Sequence, residues 1–220
     1  MIQAIEILLV FLAKWKEGKK MLKDLSLEEY LEIVDSDAPT PGGGSVGALV
    51  GALGAALSRM LAHLSLNKKK FIEATQEQKE MFVTAANDIK HYKEMLIDGI
   101  DGDALSYQCV VTAYKIKDEF EIQRALKTSA FIALDIQKNA LSALSRLIEL
   151  VPLGNKNVLS DLVAGAILLQ SCIEISFLNV QANAKLLIDE VDRHEFIIEG
   201  QRCIDEGKVF KEAILNAING

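Results

Sequence analysis

Between Asp98 and Asp103 three carboxylates fall within six residues, Asp98-Gly99-Ile100-Asp101-Gly102-Asp103. Carboxylates crowded together at a helix start can be driven to unusual pKa values, which fits one of them for general acid or base work. The same spacing also fits a plain charged turn between helices, so both readings stand. A calcium loop is excluded. Counted from Asp98, its third, fifth and twelfth places hold Ile100, Gly102 and Cys109, where an EF-hand needs oxygen ligands and a closing Glu.

The second suggestive stretch is Asp37-Ala38-Pro39-Thr40-Pro41-Gly42-Gly43-Gly44-Ser45, which leads a triple glycine into a helix of small residues. Pro39 and Pro41 bar a helix from passing through, the glycines allow φ > 0 or close approach, and Ser45 stands where an N-cap belongs. The first N–H groups of the next helix lack partners and carry the positive end of its dipole. The corner is therefore either an entry turn or a site for a carboxylate or phosphate. It lacks the GxxxxGK[ST] pattern and follows prolines rather than a strand, so it is neither a P-loop nor a dinucleotide fingerprint.

Other groups leave two readings each. Lys68, Lys69 and Lys70 complement a helix dipole or attract an anionic ligand tail. Asn179 and Asn183, four apart in an apolar segment, bond to partner helices or to a polar heterocycle, because an unpaired buried amide is costly. His63, His91 and His194 show no metal-ligand spacing, and no metal site is expected. If the chain is an enzyme, carboxylates must carry its proton transfers.

The elements that position these groups are helical from end to end, since prolines number three and no stretch alternates with period two between turn residues. Ser26-Leu27-Glu28-Glu29 has the form of a capping box and opens a short helix ending near Val34. Further helices are expected from Ser45 to Leu66, from Phe71 to Ile97 with a break at Gly99 and Gly102, and from Asp103. Another runs from Glu119 past Ile148, a nearly uncharged one is capped by Ser160-Asp161 and reaches Val180, and the last spans His194 to Asn216. Long helices with short connections predict an all-α, antiparallel up-and-down bundle. Residues 21 to 220 read as one helical domain, and residues 1 to 20 as an added helix or a start-site extension, because Met21 offers a second beginning. Gly47, Gly51 and Ala55 share one line of the small-residue helix, which suits tight helix packing, room for a flat ring, or both.

A net charge of −7 argues against nucleic acid as a main partner. The apolar runs from Ile2 to Ala13 and from Val46 to Leu57 fall short of the roughly 20 residues that span a bilayer. Three scattered cysteines, Cys109, Cys172 and Cys203, fit a reducing compartment, so a cytoplasmic location is expected, without membrane attachment.

Taken in order, Ala38-Pro39-Thr40-Pro41-Gly42-Gly43-Gly44-Ser45, the small-residue helix, the lysine-rich turn, Asp101-x-x-Ala104-Leu105, Gly154-Asn155 with Ser160-Asp161, and Asn179-Val180-x-x-Asn183 resemble the formiminotetrahydrofolate cyclodeaminase and methenyltetrahydrofolate cyclohydrolase family. The resemblance covers about Leu25 to Asp192. It implies an all-helical, homodimeric enzyme acting on a one-carbon tetrahydrofolate, with no metal, nucleotide or cofactor beyond that substrate. It gives the acid/base work to Asp101, with Asp103 as the substitute. It gives substrate contacts to Pro41, Gly42, Gly43, Gly44 and Ser45, with Lys69 and Lys70 near the glutamate tail. Asp161 would orient the substrate or bond its pterin, and Asn155, Asn179 and Asn183 complete the set. The competing reading is a noncatalytic helical module whose glycine helix serves only oligomer packing.

Overall fold

The computed structural model describes residues 20 to 219, and the expected N-terminal extra helix lies outside them apart from Lys20. Seven α-helices and three short 3-10 turns are present, with no strand among the described residues. A turn at Leu22–Asp24 precedes α1 (Leu27–Val34), which opens on the expected capping box: Glu29 N donates to Ser26 Oγ at 3.2 Å and Ser26 N donates to Glu29 Oε2 at 2.6 Å. Then come α2 (Gly43–Ser65), the short α3 (Lys69–Ile72), α4 (Gln76–Ile116), α5 (Glu119–Arg146), α6 (Leu159–Ala184) and α7 (Glu190–Asn219).

Several boundaries differ from the sequence expectation, each for a local reason. Gly99 and Gly102 do not break a helix; both lie inside α4, which is 41 residues long. Each glycine costs a helix about 1 kcal/mol relative to alanine, and tertiary packing outweighs it. A Cβ on Gly99 would come within 2.9 Å of Ile136 Cγ1, so this glycine lets α5 lie close. Ser160 and Asp161 do not cap α6, which grows out of the turn Lys156–Val158 with Val158 as N-cap and no side-chain cap. Lys68 to Lys70 belong to α3 rather than to the end of α2.

The bundle is built around the pairing of α2 with α6. A Cβ on Gly47 would meet Ile175 Cγ2 at 2.8 Å, one on Gly51 would meet Cys172 Sγ at 2.7 Å, and one on Gly54 would meet the Gly165 carbonyl oxygen at 2.8 Å. Partners on α6 descend as positions on α2 rise, so the two helices are antiparallel. Packing thus wins over room for a flat ring on this face, because α6 occupies it. By length and apolarity α2 and the stretch Lys156–Ala184 could each cross a bilayer, but their small-residue faces are spent on each other. Helices α4 and α5 close the bundle around fully buried Leu61, Phe82, Ile89, Leu96, Leu144 and Leu169. Burying each such side chain contributes about 1.5 to 3 kcal/mol. Cys109, Cys172 and Cys203 are buried and free.

Candidate active site

Two residues apart on α4, Asp101 and Asp103 project in different directions, and each meets the start of a different helical segment. Asp101 faces the turn at Leu22–Asp24: Leu22 N donates to its Oδ1 at 2.7 Å and Lys23 N to its Oδ2 at 3.4 Å. Asp103 faces the glycine corner, where Ser45 N and Ser45 Oγ donate to its Oδ2 at 2.9 and 3.1 Å. The first turn of a helix is where unpaired N–H groups and the dipole favour a negative charge.

This geometry revises the role of the corner. The N-cap of α2 is Gly42, which has no side chain to cap with, and Ser45 lies in the first turn as a donor. Asp103 supplies the missing acceptor from another helix, so the anion at this helix start is the chain's own. A Cβ on Gly44 would lie 2.0 Å from Asp103 Oδ1, so glycine is required there by the carboxylate and not by a positive φ. Asp98 stays outside the pair, exposed and joined to Lys23 Nζ at 2.6 Å.

Both carboxyls sit in poor solvent. Asp101 is 4% exposed, and burial pushes its pKa up while the Leu22 and Lys23 N–H groups pull it back. Burial likewise raises Asp103, against the two bonds from Ser45. No cationic side chain bonds either carboxylate among the described residues. Beside them lies Tyr30, which sequence reading did not single out. It is buried, its hydroxyl has no partner among the described residues, and burial followed by Asp103 and Asp101 pushes it up to about 12. The available signal was a single aromatic inside a short capped helix, which is no more than a core pattern. Together the cluster offers two proton acceptors and one donor, the minimum for taking a proton from one atom and stabilising another.

A raised carboxyl pKa means that the folded state binds more protons than the unfolded one, so its contribution to stability falls as pH rises through the carboxylate range. Asp103→Asn removes that slope. The unfolding free energy of wild type minus that of Asp103→Asn is therefore expected to decrease steadily from pH 3 to pH 7, about the span in which carboxyls titrate, in urea titrations across pH. A flat difference would mean that Asp103 is not raised.

The remaining sequence candidates divide between two ends of α2. Asn179 lies at the glycine corner, its Nδ2 being 3.9 Å from where a Cβ on Gly43 would sit, and Asn183 is one turn further. Their amides bond their own helix and not a partner: Asn179 Nδ2 donates to the Ile175 carbonyl at 3.2 Å and Asn183 Nδ2 to the Asn179 carbonyl at 3.0 Å. Lys69, Lys70, Asn155 and Asp161 gather at the opposite end. Asn155 N donates to Ser65 Oγ at 2.9 Å, and Asp161 lies one turn before Gly165, which packs on Ser58. Twenty helical rises of 1.5 Å separate Ser45 from Ser65, about 30 Å. At this far end Lys70 and Lys156 flank a groove of about 420 Å³ with Gly154 and Pro152 in its wall. His63, His91 and His194 are exposed, and His63 lies in the last turn of α2, where Asn155 meets Leu64 and Ser65.

The family model described as formiminotransferase-cyclodeaminase matches residues 26–199. The chain is 29% identical to methenyltetrahydrofolate cyclohydrolase of Methylorubrum extorquens, over 88% of this chain and 95% of that protein. It is 25% identical to formimidoyltransferase-cyclodeaminase of Rattus norvegicus, over 91% of this chain but only 38% of that protein. The crystal structure of formiminotetrahydrofolate cyclodeaminase from Thermotoga maritima superposes with a TM-score of 0.83 at 28% identity, covering 90% of this chain and 98% of the other.

Proposed function

The chain belongs to the formiminotransferase-cyclodeaminase family, and from that premise we propose that it opens or closes the five-membered ring of a one-carbon tetrahydrofolate, using the Asp101 and Asp103 pair for proton transfer. The observation that carries this reading is the pair itself: two carboxyls raised by burial, neither bonded to a cationic side chain among the described residues, two residues apart on α4. In ring opening, a carboxylate takes a proton from water as its oxygen bonds the methenyl carbon. The hydroxyl of the adduct then gives up its proton as the N5–carbon bond breaks, N5 receives a proton, and the formyl group stays on N10. In ring closure with loss of ammonia, N10 attacks the formimino carbon on N5, a carboxylate takes the N10 proton, and the leaving nitrogen departs protonated. Asp101 is the leading base in both, and Asp103 is its neighbour and substitute. These steps call on no group beyond the chain's residues, the folate and water.

Substrate contacts follow the same geography. Pro41 and Gly42 to Ser45 wall the pterin, with the Gly43 and Gly44 N–H groups as donors and the side-chain oxygens of Asn179 and Asn183 as acceptors. Lys69, Lys70, Asn155 and Asp161 are too distant to join them within one protomer, and a homodimer resolves the distance. Val46, Val50, Leu53, Leu57, Met60 and Leu64 form a stripe of alternating four- and three-residue spacing along α2, with Leu53 52% and Leu64 44% exposed. Antiparallel pairing of two such stripes sets the lysine end of one protomer beside the glycine end of the other, with the lysines toward the anionic tail. Sedimentation as a monomer would remove this arrangement. The buried thiols accord with a reducing, cytoplasmic setting, and the net charge of −7 with a small-molecule rather than a nucleic-acid partner.

The test is direct. Purified protein is given 5,10-methenyltetrahydrofolate and, separately, 5-formiminotetrahydrofolate, while methenyl absorbance and ammonia release are followed. Turnover of either is expected, and silence on both from folded protein would sink the reading.

A further inference from the structure

Tyr30 is 5% exposed, is the buried residue of α1, and joins the main core. Its hydroxyl has no hydrogen-bond partner among the described residues. Two other buried polar atoms share that condition, Gln137 Oε1 and Gln170 Oε1, but their side chains are otherwise engaged. Gln137 Nε2 donates to the carbonyls of Ile173 and Gly200, and Gln170 Nε2 donates to Glu174. The Tyr30 hydroxyl makes no such bond to any described residue. An unmet buried hydroxyl costs about 1 to 3 kcal/mol, a cost that phenylalanine at this place would avoid. The groups whose charge reaches it are Asp103 and Asp101, the two carboxyls of the site.

We propose that Tyr30 is a third catalytic residue, whose hydroxyl donates a hydrogen bond to the heteroatom carried by the one-carbon unit: the oxygen that becomes the formyl oxygen, or the nitrogen that leaves as ammonia. This assignment rests on the folate reading above. Ionised carboxylates only accept hydrogen bonds, so they can draw a proton away but cannot stabilise the electron density left behind. A donor must do that. A phenol pushed up to about 12 stays protonated throughout the working range and keeps its hydrogen for this bond. The hydrogens of Leu22 N, Lys23 N, Ser45 N and Ser45 Oγ are already spent on the two carboxylates, which leaves Tyr30, among the described residues, as the donor in the cluster with its hydrogen unspent.

Tyr30→Phe tests the assignment, because it keeps the ring and removes one oxygen. Loss of one donor to a developing charge lowers kcat by about 100-fold, with KM within about threefold of wild type. The melting temperature should stay level or rise, since an unpartnered hydroxyl has gone; a merely structural hydroxyl would move stability and leave kcat alone. Wild-type turnover with Tyr30→Phe within about twofold of it in kcat would overturn the assignment and leave the folate reading intact. A wild-type protein inert on both 5,10-methenyltetrahydrofolate and 5-formiminotetrahydrofolate would overturn the folate reading, and the assignment with it.

Discussion

Asp101→Asn lowers turnover of the one-carbon folate by about 100-fold or more, the range lost when a positioned general base is removed. The substitution is nearly isosteric. Its side-chain oxygen can still accept from Leu22 N, the shorter of the two bonds that Asp101 makes at 2.7 and 3.4 Å. The fold and melting temperature should therefore stay close to wild type while kcat falls, a separation read from steady-state kinetics and thermal unfolding on the same preparation. Asp103→Asn is the necessary partner experiment, since an amide oxygen can also accept from Ser45 and preserve the start of α2. The variant with the larger loss in kcat marks the base. Unchanged turnover in both would reject carboxylate catalysis altogether.

Gly165→Ala destabilises the protein by about 3 kcal/mol, at the upper end of what overpacking a close core contact costs. The added methyl would lie 2.3 Å from Ser58 Oγ and 2.7 Å from the Gly54 carbonyl oxygen. The serine hydroxyl can rotate away, but the carbonyl belongs to helix backbone and cannot. Relief requires α2 and α6 to separate along their length. For a chain of this size the melting temperature should fall by about 6 to 12 °C. Gly102→Ala is the control: its Cβ would meet only Ile132 Cγ2 at 3.7 Å, an ordinary contact. Relieving a mid-helix glycine there should stabilise by about 1 kcal/mol. Equal effects at the two glycines would contradict the packing described for α2 and α6.

Much of the fold was legible because helical periodicity and capping are local. The box at Ser26 and Glu29 is written in four consecutive residues and forms as read. What failed was nonlocal. Gly99 looks like a break until Ile136 on another helix is known to press against it, and Ser45 looks like a cap until Asp103, 58 residues away, takes that work. The carboxylates themselves were found by their density in sequence, but the division of labour between Asp98 and its neighbours depends on which faces of α4 meet protein. Tyr30 was illegible for the opposite reason. A lone aromatic in an amphipathic helix is the commonest core signal, and only the absence of a partner for its hydroxyl among the described residues sets it apart. The lysines and Asp161 follow the glycine corner in the chain, yet the 23-residue length of α2 carries them away from it.

Asp103 answers to two demands at once, anchoring the first turn of α2 and lying within the acid/base pair. Such a position has few neutral neighbours in sequence space. Asparagine keeps the anchor and forfeits the proton, alanine forfeits both, and glutamate reaches one methylene further into space already so tight that Gly44 can carry no side chain. Glycine at 44 already offers the least bulk, so no change there makes room for glutamate, and aspartate at 103 and glycine at 44 are bound to persist together.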